Sequence, residues 1–429
     1  MRRIILQEPH FIHPFNEPAR DLRVQNVPLW LWQRDTLSPY VSEEREYPNW
    51  KFAQKEIGDD STETLVHRDN LFFNAALIKE FIDRARAGRK PVRIAFRKDD
   101  PAIVEHVQPL TRSFFKQGDI LLADMWYLPK GVSQSVIAQP LIIETESREV
   151  GYYHVPPYMA SETGDLVYQL PRKAFVSLES WVHLFVIDIL FGAFARGKDV
   201  EDRVESDWRY QLKVLARAVL EQKRVLDCSE MVKIGQNVNI DPSAIIHGPT
   251  TIGNNVTIGP GAVIDNCVIG NNVNISQGCE LMLSVVSDGC FLPFRAALFM
   301  TTMMENTMVA QNTCLQLCVI GRDTFIGAGT TFTDFNVLPA PLRAFGPHGL
   351  EETHMFVLGG CVGHHCRLSS GLVIYPARTI ESDVVMLASE DKKYIKRDVC
   401  YEDSDHYALN LKYPYPRLYP RQERQGEQL

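Results

Sequence analysis

Two histidines stand side by side at positions 364 and 365, inside the stretch Gly-Gly-Cys-Val-Gly-His-His-Cys-Arg from 359 to 367. A neutral imidazole near pH 7 can take a proton from a hydroxyl or amine nucleophile, so His364 and His365 are candidate general bases. His354 and His348 lie a few residues upstream, in a segment rich in proline and glycine. Near the other end of the chain, Arg20 and Arg23 in Ala-Arg-Asp-Leu-Arg-Val carry planar forks suited to phosphate. Asp69 offers a carboxylate that could hold Mg²⁺. The bland readings stand beside these: the histidines decorate a solvated edge, the arginines form surface pairs, and Asp69 caps a turn.

Which reading holds depends on the elements that carry these residues. From 231 onward aliphatic side chains recur every six residues: Ile234, Ile240, Ile246, Ile252, Ile258, Ile264. Small or β-branched residues follow four places later at Val238, Ala244, Val256 and Ala262. The beat resumes at Ile269, Ile275 and Leu281. It then runs through Val286, Leu292, Leu298, Met304 and Ala310, with Cys290, Ala296, Thr302, Met308 and Cys314 as companions. Further runs are Ile320, Ile326, Phe332 and Val362, Leu368, Ile374, Ile380, Met386. Neither a helix nor a plain strand gives a six-residue period. A parallel solenoid with three flat faces per coil does, because stacked coils bury a continuous apolar column. On this grid Val362 and Cys366 point inward, and His364 and His365 lie on an outer edge. The segment 336–355 interrupts the beat with three prolines and two glycines, and is expected to be an extruded loop.

The pattern over 231–390 resembles the hexapeptide-repeat family of left-handed parallel β-helices. The resemblance implies a homotrimer whose outer edges line grooves between subunits, an extruded loop reaching over a neighbour, and acyl transfer from acetyl-CoA or another acyl-CoA. In family members of the UDP-N-acetylglucosamine acyltransferase type the base is a histidine in the third place of a hexad. His364 holds that place, with His365 second and His354 a third candidate from the loop. The stretch Phe-Ile-Gly-Ala-Gly-Thr-Thr-Phe-Thr-Asp-Phe-Asn from 325 to 336 resembles a ligand-lining stretch of bifunctional sugar-nucleotide enzymes. That similarity implies close backbone approach at Gly327 and Gly329, and hydrogen bonds to a sugar from Asp334 and Asn336. Glycines at such places also simply serve a coil's turns.

The first 178 residues predict α/β structure. Apolar runs suited to strands begin at Arg2, Glu63, Pro91 and Asp119, and Leu77, Phe81, Ile82 and Ala85 mark one face of a helix. The openings Glu-Pro-Ala-Arg-Asp-Leu-Arg-Val and Leu-Val-His-Arg-Asp-Asn-Leu-Phe-Phe resemble a divergent group of sugar-nucleotidyltransferase-like domains. The resemblance implies binding of a sugar nucleotide or sugar phosphate. However, the first 90 residues contain only Gly58 and Gly88, so the glycine loop that lets backbone N–H groups approach a triphosphate is missing. Residues 179–228 are expected to be a helical connector whose second helix buries Leu212, Leu215, Ala216 and Leu220. Residues 391–429 are expected to be a charged, Tyr- and Pro-rich tail.

The chain of 429 residues is 45% hydrophobic with a formal net charge of −8, which argues against nucleic acid as a main partner. The most apolar run, 181–195, carries Asp188 and is short for a membrane span. No apolar export signal follows Met1 and the nine cysteines show no paired zinc spacing, so reduced thiols in the cytoplasm are expected. The whole predicts a divergent α/β domain at 1–178, the connector, a β-helix at 229–390 and the tail. The leading function is acyl transfer to an amino- or hydroxy-sugar, phosphorylated or nucleotide-linked. Sugar-1-phosphate nucleotidyl transfer and a non-catalytic nucleotide-sugar-binding scaffold are the alternatives.

Overall fold

The computed structural model describes residues 1–133, 137–156, 158, 164–337, 340–346, 348–406 and 415–422. Its N-terminal part is built on a mixed sheet with strand order Gln139–Ile142, Val92–Arg97, Ile120–Leu128, Thr64–Arg68, Arg2–Leu6, Glu43–Tyr47; Phe115–Gln117 pairs with Ile120–Leu128. Arg2–Leu6 runs parallel to both neighbours. It is buried along its whole length, as a central parallel strand covered on both faces must be. The helix Ala75–Gly88 starts at Asn74, whose side chain accepts the Leu77 N–H, and buries Leu77, Ile78, Phe81, Ile82 and Ala85 against the sheet.

The C-terminal part is a parallel β-helix of three eight-stranded sheets, consistent with a left-handed coil of hexapeptide repeats. Each coil contributes one short strand to each sheet, and Ile234, Ile252, Ile269, Val286, Met303 and Ile320 stack in register. Most coils are 17 residues long, so one hexad in three lacks a residue. That shortening corrects the sequence phase after Leu298. Met303, Val309 and Leu315 fill the core, while Met304 faces the N-terminal part and Met308 and Cys314 are only half-buried. Cys279, Cys290 and Cys366 are inward, as expected.

The two parts share one apolar cluster. Phe185, Ile189 and Leu190 pack with Val285, Met300, Met304, Val319 and Cys361, so the helical stretch Trp181–Ser206 and the arm 11–28 cover one sheet of the β-helix. The apolar run 181–195 is thus an interdomain helix, and no helix among the described residues is long and apolar enough to cross a membrane. In the next helix, Trp208–Glu221, the buried stripe is Tyr210, Val214 and Ala218. Leu212, Leu215 and Leu220 stay 50–78% exposed, the reverse of the expected face.

The interruption at 336–355 is extruded as expected, with an antiparallel hairpin pairing Arg343–Gly346 to Gly349–Glu352. It folds back onto its own N-terminal part, where Ser180 donates to the Phe345 carbonyl at 3.1 Å and Leu342, Ala344 and Met355 join the shared core. In the tail, residues 407–414 and 423–429 lie outside the described residues, and the rest differs from expectation. Tyr394–Ile395 adds a last strand beside Val373–Ile374, and residues 415–422 lie docked on the helix.

Candidate functional site

The turn at 363–366 sits on a corner of the β-helix. Successive coils place Asn272, Gly289, Asn306, Asp323, His365 and Asp383 at that corner, each with positive φ. Asn and Asp tolerate this left-handed conformation, and their side chains bond along the ladder, as Asn306 does to Asp323 at 3.1 Å. His365 replaces the usual Asn or Asp. Its Nδ1 is 2.8 Å from Oδ1 of Asp383, whose side chain is fully buried. A carboxylate only accepts, so the proton lies on Nδ1 and the lone pair on Nε2. An imidazole oriented by a buried carboxylate is the pairing a general base needs. Tyr415 lies flat against this ring, with centroids 4.3 Å apart and planes 3° apart.

His364 points away from the coil core, as the hexad grid requires, but the expectation that it faces an open groove is overturned. It is fully buried beneath the arm and the tail. Phe15 and Tyr419 cover it at 4.9 and 4.8 Å between centroids. Its Nδ1 accepts the Arg322 N–H at 3.0 Å, so Nε2 carries the proton and donates to Glu17 Oε1 at 3.0 Å. Burial lowers its pKa and keeps it neutral. Burial alone would raise the Glu17 pKa, yet hydrogen bonds from His364 and Arg322 hold it below the usual range. Arg322 grips Glu17 through two bonds of 2.7 and 2.8 Å and also meets Glu305 at 3.0 Å. His364 is therefore a tether of the arm, closed to substrate in this conformation.

His354 is exposed on the extruded loop, at φ 55°. It lines a cavity of about 340 Å³ with Glu105, His106, Glu149, Asp165 and Phe356, whose lining includes neither His364 nor His365. His348, next to the hairpin tip, is exposed too. Gly327 and Gly329 do the work of the coil. A Cβ on Gly327 would sit 2.5 Å from the Ser369 carbonyl carbon, and Gly329 turns at φ +66° with open space beyond. Asp334 and Asn336 hold the root of the loop. The Asp334 carbonyl accepts the Leu358 N–H at 2.8 Å, and Asn336 donates to the Ala340 carbonyl at 3.1 Å.

In the N-terminal part, Glu8 and Asp69 follow the adjacent parallel strands Arg2–Leu6 and Thr64–Arg68. These strands continue to opposite sides of the sheet, which makes a crevice at their carboxyl ends. Here it is closed by ion pairs. Arg20 binds Glu46 and lies 3.5 Å from Asp69, Arg68 meets Asp124 and Glu8, and Arg112 meets Glu8 and Glu179. Arg23 turns instead to Glu305 on the β-helix at 3.1 Å. Burial raises the Asp69 pKa to about 6. Asp69 does not fit a Mg²⁺ ion. One oxygen accepts the Glu8 N–H at 2.8 Å, the other faces Arg20, and the Glu8 carboxylate is engaged by Arg68 and Arg112. Among the described residues, only Glu381, Cys400 and Glu402 gather three metal-binding atoms within 4.8 Å. Arg421 already occupies that place, 2.7 Å from Glu381 and 2.8 Å from Glu402.

Sequence reasoning missed Asp383, Glu17 and Tyr415. The repeat itself could have found Asp383, since His365 and Asp383 share a corner one coil apart.

The profile of the bacterial transferase hexapeptide family, six repeats, matches residues 231–266. No curated protein matches the chain. Among solved structures, the acetyltransferase domain of PglB from Neisseria gonorrhoeae FA1090, in complex with acetyl coenzyme A, is 16% identical, covering 40% of this chain, with a TM-score of 0.16. This chain spans 59% of that domain's length. A Bacillus cereus protein described as a candidate acetyltransferase is 17% identical over 42% of this chain and 92% of its own, also with a TM-score of 0.16.

Proposed function

We propose that the chain is a hexapeptide-type acyltransferase that uses His365 as general base. The observation that supports this most is the His365–Asp383 pair, which fixes the tautomer and leaves Nε2 as the basic atom. In the reaction, Nε2 takes the proton of an acceptor amine or hydroxyl. The acceptor atom attacks the thioester carbonyl carbon of acyl-CoA, the C–S bond breaks, and the imidazolium returns the proton to the departing thiolate. The acceptor is an amino- or hydroxy-sugar, with or without phosphate or nucleotide, and three β-helices assemble side by side. Nucleotidyl transfer is disfavoured because Arg20, Arg68 and Arg112 are neutralised by the chain's own carboxylates. One observation favours a second reading, a non-catalytic scaffold: the histidine pair and the N-terminal crevice are both covered.

The test is release of CoA thiol from acetyl-CoA with a panel of amino-sugars, sugar phosphates and UDP-sugars. The acyltransferase reading expects turnover that falls at least about 10²-fold in His365→Ala. Absence of turnover with every acceptor, in the full chain and in a form with the tail removed, would establish the scaffold instead.

A further inference from the structure

The C-terminal residues 415–422 touch almost every group around the histidine pair. Tyr415 stacks on the His365 ring, and its hydroxyl donates to the His365 carbonyl. The Tyr419 N–H donates to Asp383 Oδ2 at 2.7 Å, so the carboxylate that orients His365 also holds the tail. The Tyr419 ring closes over His364, and its carbonyl accepts from Asn16 at 3.0 Å. Beyond it, Arg421 pairs with the buried Glu381 and with Glu402, and Gln422 donates to the Pro9 carbonyl at 2.7 Å. Arg417 lies over Tyr401 at 4.1 Å and Arg367 over Tyr415 at 4.9 Å. The anchors spread over three elements far apart in the chain: the arm, the coil corner and the last coil.

We propose that residues 415–422 form an autoinhibitory strap that closes the His365–Asp383 pair, and that lifting it opens His365 to acceptor. Of the strap's ionic contacts, Arg421 with the exposed Glu402 is the kind salt loosens, whereas the bonds to the buried Asp383 and Glu381 are screened much less, so a competing partner rather than salt is what lifts it. The buried Glu381 gives it a fixed seat: when Arg421 leaves, Asn16 and the Tyr401 N–H still bond that carboxylate. The coil therefore keeps its own support with the strap lifted. This proposal rests on the reading of His365 as base, and it deepens that reading by naming how the site is regulated.

The first arm of the test needs no substrate, and acyl transfer by the same proteins is the second. Diethyl pyrocarbonate modifies unprotonated imidazoles, and peptide mass spectrometry reads each histidine separately. The chain is compared with a form ending at residue 414 and with full-length Tyr415→Ala, which removes the ring yet leaves Arg421 on Glu381. His154, with a side chain 67% exposed, serves as internal reference. His365 should react about tenfold faster in both variants if the closed form is populated about 90% of the time, with His154 unchanged. Equal His365 rates in all three proteins would overturn the strap. Acyl transfer that is equally fast with and without the tail would overturn it as well, while leaving the acyltransferase reading in place. Faster modification without any acyl transfer would keep the strap and sink the acyltransferase reading.

Discussion

Nε2 of His364 lies 3.0 Å from Oε1 of Glu17 although 347 positions separate them in the chain. This bond, with the Arg322 fork on the same carboxylate, fastens the N-terminal arm across the coil corner. Glu17→Ala would leave Arg322 and His364 facing a buried gap. Removing one partner of a buried charge network costs about 3 kcal/mol, which urea unfolding would show as a lower midpoint. His364→Ala should cost less, about 1–2 kcal/mol, because Glu17 keeps Arg322. If the histidine variant proved the more damaging, the network would not be the arm's main anchor.

Asp188 couples the same two parts through a proton. It is buried in the interdomain helix, accepts the Gln25 N–H at 2.7 Å and receives Thr302 Oγ1 from the β-helix at 3.0 Å. Burial raises its pKa from 3.8 to about 7, and the hydrogen bonds offset this only in part. The folded state thus binds the proton more tightly than the unfolded state. Its contribution to stability is fully present below about pH 4 and is lost as pH rises through 7, costing at most about 4 kcal/mol above that. Asp188→Asn keeps an acceptor for Gln25 and removes the ionisation. The variant should match the parent at or below about pH 4 and exceed it increasingly from there to pH 8.5 in thermal melts. Parallel stability curves for the two proteins would contradict a neutral, buried Asp188.

The repeat was legible because every coil must present an aliphatic residue at the same place; periodicity survives even where residues vary. The central strands and the helix at 75–88 were legible for the same local reason. The phase error at Met303 arose because dropping one residue per coil costs the solenoid nothing: the corner shortens and the next strand stays in register. The fate of His364 was not legible. Outward on a coil means exposed only if nothing lies above, and here the cover comes from Phe15 and Tyr419, at opposite ends of the sequence. The helix Trp208–Glu221 has two apolar stripes, and only tertiary packing chooses between them.

The cysteines give a chemical check on the coil core. All nine are free thiols; seven are buried, and Cys314 and Cys400 are half-buried. Burial pushes the Cys267 and Cys290 thiols up to about 12, so neither forms thiolate near neutral pH. Ellman's reagent should therefore label Cys314 and Cys400 slowly in the native protein and all nine in guanidinium. Rapid native labelling of Cys290 or Cys366 would mean that the inward assignment of those coils is wrong.

Self-assembly makes the last prediction. One sheet of the β-helix is covered by the N-terminal part, which leaves two faces for neighbouring copies. On one of them Phe291, Met308 and Phe325 stand in register on successive coils, each outward, with the two phenylalanines 38% exposed. An apolar ladder repeated over three coils is costly to leave in water, whereas scattered single residues are not. In the proposed homotrimer this ladder is the seam. Phe291→Glu with Phe325→Glu would place two charges along it while leaving the inward Leu292 and Ile326 in the core. Light scattering coupled to size exclusion should then report a mass one third of the parent's, with unchanged circular dichroism. A parent protein that already runs as a monomer, or a double variant that stays trimeric, would remove this face from the interface.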